Sequence, residues 1–95
     1  MIVRLMGEGQ YRFPDEAYER LNEIDERALR ALERDDEAEL DQALDEMAAL
    51  VRAEGTPLPA DDLSPSDAVI PPSDFSLEET REFFSEQGAI PDLHV

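Results

Sequence analysis

The run DEAYERLNEIDERALRALERDDEAELDQALDEMAALVRAEG, residues 15–55, decides the fold. Within it Ala17, Leu21, Ile24, Ala28 and Ala31 recur at spacings of four, three, four and three. Leu40, Leu44, Met47 and Val51 then repeat at four, three and four. Each series is a narrow apolar stripe on one side of a helix, the spacing by which two helices zip together. The break between them, Glu33-Arg34-Asp35-Asp36, is polar and short, so the helices fold back on each other as an antiparallel hairpin.

The ends of these helices are marked as well. Pro14 and Asp15 open the first, with Asp15 as its expected cap and Glu16 and Glu19 near the positive end of its dipole. It is expected to run to Arg34, roughly 19 residues and about 28 Å. Tyr18, Leu29 and Leu32 lie beside or away from its stripe, which predicts a second covered face. Asp36 caps the second helix, and Glu39 three residues on makes an Asp version of the capping box. Leu40, Ala43, Leu44, Met47, Leu50 and Val51 are its buried face, and Asp41, Asp45, Glu46 and Arg52 face water. Gly55 follows as the residue past the helix end, and Pro57 forbids continuation.

Working outward, residues 1–13 read as a β-hairpin. Ile2-Val3-Arg4-Leu5-Met6 is a strand with at least one covered side, and Gly7-Glu8-Gly9 supplies a tight turn. Gln10-Tyr11-Arg12-Phe13 alternates, placing Tyr11 and Phe13 on one face. A lone hairpin is marginal in water, so this one must lie on the helices. The glycine pair is not a phosphate cradle: no Lys-Ser/Thr pair or third glycine accompanies it, and Glu8 repels phosphate.

Residues 56–74 change character. Five of the seven prolines (Pro57, Pro59, Pro65, Pro71 and Pro72) fall here, so the segment is extended and stiff. Ala68-Val69-Ile70, bracketed by prolines, is expected to join the hairpin as a short edge strand. Ser76 and Glu79 then form a capping box for a third helix over 76–87, with Leu77, Phe83 and Phe84 apolar and Gly88 as its stop. Residues 89–95 are a tail. The expected class is therefore α+β, a single domain over residues 1–95. It comprises an antiparallel two-helix hairpin over 15–54, a third C-terminal helix, and a small N-terminal β-hairpin joined by a short edge strand.

Composition narrows the function. The chain has 95 residues, 25 acidic side chains against 8 basic ones and a net charge of −17, and all eight cations are arginine. Such a charge repels nucleic-acid backbones and anionic lipid, so direct binding to either is not expected. With no cysteine there is neither a disulfide nor a thiolate metal site. No stretch approaches the ~20 apolar residues of a membrane span, and no basic-then-apolar leader opens the chain, so a cytoplasmic location is expected. Asp41 and Asp45 stand four apart, but no calcium-type loop or Glu-x-x-His motif accompanies them. His94, beside the terminus, has no triad or ligand company. Neither an enzyme, a metal site nor a cofactor is expected. Leu29, off the stripe, and Ile90 and Leu93, in the tail, are the candidate partner-binding side chains.

Several short motifs carry a resemblance. MIVRLMGEGQYRFPD (1–15), GTPLP (55–59), LSPSD (63–67), VIPP (69–72) and SLEE (76–79) occur in an order that resembles the PspAA family, small proteins associated with phage shock protein A. The resemblance implies a three-helix domain acting with a phage-shock-protein-A-like coiled-coil partner that assembles on stressed membranes. It brings no catalytic residues with it. The function expected is thus an adaptor or regulator in the envelope stress response, at the inner membrane only through its partner. The rival from another class is an acidic decoy that occupies the nucleic-acid-binding surface of a basic protein.

Overall fold

The computed structural model describes residues 1–87. In chain order they form β1 (Ile2–Leu5), β2 (Gly9–Arg12), α1 (Tyr18–Glu33), α2 (Glu37–Glu54), β3 (Thr56–Pro57), β4 (Ala68–Ile70) and α3 (Leu77–Gln87). The class is α+β, with a four-stranded mixed sheet and α1 packed along α2.

The helical hairpin follows its stripes. Ala17, Leu21, Ala28 and Ala31 from the first series are buried, as are Leu40, Leu44, Met47 and Val51 from the second. Leu32 is also buried, and Tyr18 and Leu29 are half-buried, so α1 covers more than one face. The turn is a Schellman motif built without glycine. Asp36 N–H donates to the Ala31 carbonyl at 2.8 Å and Asp35 N–H to that of Leu32 at 3.2 Å. Asp35 takes the left-handed backbone this requires, at φ 56°, which aspartate tolerates better than most side chains. Asp36 then caps α2, its carboxylate accepting from Glu39 N–H at 3.2 Å.

Three local expectations are corrected. Asp15 does not cap α1: residues Asp15–Ala17 form a 3-10 turn that starts from extended Pro14, and the helix proper begins at Tyr18. The Asp15 side chain is free of that task and lies 3.6 Å from the Met1 amine. Gly55 is the capping residue itself rather than the one past the helix end, and it is extended, at φ −84°. A Cβ there would fall 2.5 Å from the Val51 carbonyl oxygen, so glycine serves close approach rather than a positive φ. Asp41 and Glu46 do not stand free in water but are half-buried, Asp41 with one carboxylate oxygen lacking a hydrogen-bond partner.

The sheet order is β3-β2-β1-β4. β1 and β2 pair antiparallel with Val3 opposite Tyr11, while β4 joins β1 in parallel with Val3 opposite Ala68 and Leu5 opposite Ile70. Alternation puts Val3, Leu5, Ala68 and Ile70 on the face that meets the helices, where all are buried with Phe13. Arg4 and Gln10, opposite each other, share the other face. The chain between β3 and β4 crosses that outer face and is bonded to it. Gln10 Nε2 donates to the Ser64 carbonyl at 2.9 Å and to Ser66 Oγ at 2.7 Å. The proline-rich segment is therefore a cover for the sheet.

α3 docks at the tip of the helical hairpin. Its capping box is complete, with Glu79 N–H donating to Ser76 Oγ at 3.1 Å and Ser76 N–H to Glu79 Oε1 at 3.0 Å. Leu77 N–H donates to Glu37 of α2 at 3.1 Å, and Arg81 bonds both Asp35 and the Leu32 carbonyl. Thr80, between them, is fully buried.

Candidate partner-binding surface

The surface is shaped first by where its few cations go. Arg27 on α1 reaches two carboxylates of α2, Glu39 at 2.8 Å and Glu46 at 2.9 Å. Those bonds hold the Arg27 pKa above its ordinary value and that of Glu46 below. Arg20 ties the start of α1 to Glu54 at the end of α2 at 2.7 Å. Arg52 of α2 grips Glu8 in the β1–β2 turn through Nη2 at 2.7 Å and Nε at 3.0 Å, and Tyr11 donates its hydroxyl to the same carboxylate at 2.5 Å. With two donors on it, chiefly Arg52, Glu8 is held down at a pKa of about 2, and the Tyr11 phenol is raised by the bond. These arginines serve the fold, so the acid excess is left to dominate the exterior.

Beside the Glu8–Arg52 pair, β1, α2 and Pro71-Pro72 enclose a groove of about 130 Å³. Leu5, Leu44 and Ala48 form its apolar side, Met6 stands at its edge, and Asp45 is on its rim. A second groove of about 240 Å³ opens on the outer face of the sheet, between Arg4, Gln10, Leu58, Pro59 and Asp62. Two large apolar side chains stand exposed among the described residues, Met6 at 38 % and Leu63 at 92 %. Both lie at these grooves or in the segment bordering them.

Of the side chains chosen from the sequence, Leu29 is half-buried on α1, while Ile90 and Leu93 lie outside the described residues. Leu63 was missed. It sits inside a motif singled out for its resemblance, but neither helical nor strand periodicity places a residue in such a loop. Asp25 was missed too: it is fully buried on α1, four residues after Leu21 and three before Ala28. Its position continues the apolar stripe, and only its charge hid it. Among the described residues no group of three or more His, Cys, Asp or Glu is placed to hold a metal ion, and no helix is long and apolar enough to cross a membrane.

The family model PspAA, described as PspA-Associated protein, matches residues 1–92. The chain belongs to the PspAA family. No curated protein and no solved structure matches it. For this PspAA domain the match spans both groove-bearing faces and the whole helical hairpin, so the surface described above lies within the family's own unit. The family description links it to PspA.

Proposed function

We propose that this PspAA protein is a non-enzymatic adaptor in the envelope stress response that binds a phage-shock-protein-A-like coiled-coil protein. The observation that carries the reading is the family match over residues 1–92, with its description as PspA-associated. Surface chemistry supports it. A chain of net charge −17 favours a partner with basic stripes and disfavours anionic lipid, so we place this protein in the cytoplasm with contact to the inner membrane only through its partner. Leu29, half-buried on α1, is proposed as one contact on that partner, with Ile90 and Leu93 of the tail.

The same charge supports a second reading, an acidic decoy for basic nucleic-acid-binding proteins. Salt separates the two, because purely electrostatic binding collapses when charges are screened. The test is calorimetric titration of the purified PspA-type protein from the same genome, at about 0.05 and 0.5 M salt. Binding that persists at the higher salt, with no binding to an unrelated basic protein, supports the adaptor. Binding to both proteins that vanishes at the higher salt favours the decoy. No heat at either salt at two temperatures, about 10 and 35 °C, sinks the adaptor, since apolar association cannot be thermally silent at both.

A further inference from the structure

Leu63 stands out in the loop that crosses the outer face of the sheet. Its side chain is 92 % exposed, while Asp62, Ser64, Ser66 and Asp67 around it are each bonded to the loop or the sheet. Asp62 N–H donates to the Pro59 carbonyl at 3.0 Å, and Ser64 N–H donates back to Asp62 Oδ1 at 2.9 Å. Gln10 holds Ser64 and Ser66, and Arg4 Nε also donates to Ser66 Oγ at 3.4 Å. Asp67 closes the run on β1: Ile2 N–H donates to its carboxylate at 2.7 Å, and its own N–H donates to the Ile2 carbonyl at 2.8 Å. Pro65 stiffens what lies between. The backbone on both sides of Leu63 is thus tied down, so the leucine is presented outward with little backbone freedom left to lose on binding.

The setting of Leu63 indicates what covers it. Asp61, Asp62 and Asp67 flank it, and the chain carries no cation between Arg52 and Arg81. Arg12 lies near enough to Asp62 to favour its charge, though the Ser64 hydroxyl and N–H do more to keep that carboxyl below its usual range. The outer groove adjoins the loop through Leu58, Pro59 and Ala60. A second copy of the chain is a poor occupant, since it brings another −17 against the same acidic loop. An anionic lipid surface is disfavoured by the same repulsion.

We infer that Leu63 is an anchor that this protein inserts into an apolar socket, rimmed by lysine or arginine, on its PspA-type partner. The inference rests on the adaptor reading and adds to Leu29 and the tail a contact on the outer face of the sheet. Shape and charge share the work: the leucine is desolvated in the socket while the three aspartates meet the basic rim.

The test titrates the purified PspA-type protein with the full chain, with Leu63→Ala and with Leu63→Asp, and follows each chain alone by thermal melting and sedimentation. Both substitutions are expected to leave the melting temperature unchanged, because the side chain touches little. Leu63→Ala is expected to weaken binding about tenfold and Leu63→Asp to abolish it. Binding by the unsubstituted chain that both variants retain overturns the anchor and leaves the adaptor standing. No binding by the unsubstituted chain removes the adaptor and the anchor together. If Leu63→Ala instead dissolves a dimer and leaves partner binding intact, the face belongs to a second copy and the inference fails.

Discussion

At the scale of single residues, two carboxylates of opposite character can be told apart by titration. Glu8 accepts from Arg52 and Tyr11 and is held at about 2, below the ordinary 4.5. A depressed folded pKa means that its contribution is full above about 4.5 and is lost as pH falls toward about 2. Glu8→Gln is therefore expected to melt lower than the parent at pH 6, and the gap to close by about pH 2 in thermal melts. The pair is partly exposed, so the gap corresponds to about 1 kcal/mol or less. Asp41 runs the other way. Burial raises its pKa first, and the neighbouring charges of Glu37 and Asp45 on the same helix add to it. Its carboxylate is thus a cost at neutral pH, when it is ionised. Asp41→Asn is expected to raise stability at pH 7 by roughly 0.5 kcal/mol, with the gain fading in acid as the parent's carboxyl takes up its proton.

At the scale of elements, the joints decide more than the helices do. Gly55 ends α2 with its N–H on the Val51 carbonyl at 2.7 Å, and a Cβ added to it would fall 3.1 Å from the Cβ of Tyr11. Gly55→Ala puts a methyl 2.5 Å from that carbonyl oxygen, and the nearest atom is backbone, which cannot swing aside. The expected result is a loss of about 1–3 kcal/mol in denaturant unfolding, the range of overpacking in a filled site. A glycine-to-alanine change at a free loop position stabilises by reducing unfolded-state entropy, so the sign of the effect tests the contact. The opposite joint, at Asp35, keeps a left-handed aspartate where glycine is the usual choice. The carboxylate is used: it receives Arg81 and so helps seat α3 on the hairpin tip.

At the scale of the whole molecule, charge is the governing property. Arg20, Arg27, Arg52 and Arg81 join one element to another, which cements the fold but leaves a net −17 repelling itself. Screening should relieve that repulsion more than it weakens the pairs, because like charges outnumber opposite ones at long range. Raising sodium chloride from about 0.05 to 0.5 M is expected to lift the melting temperature by about 5 °C, near 1 kcal/mol for a domain of this size. A fall in melting temperature would show that the ion pairs outweigh the self-repulsion.

The features that were legible in the amino-acid order are those with a local cause. Stripes at spacings of three and four place Leu21, Ala28, Leu40, Leu44 and Met47 in the core, and Asp36 and the Ser76–Glu79 box mark where helices start, because periodicity and capping act within a turn or two. The Gly7-Glu8-Gly9 turn and the strands beside it are local in the same way. The grip of Arg52 on Glu8 and the exposure of Leu63 could not be read so, since each depends on segments far apart in the chain, whereas Asp25 stands at a stripe position and was hidden only by its charge. The parallel pairing of β4 with β1 and the proline-rich cover over the sheet's outer face belong with them. The sequence by itself determined the helices, the caps at Asp36 and Ser76 and the acidity; only the tertiary structure decided which faces met, because hydrophobic burial rewards any covered face and packing selects the one that fits.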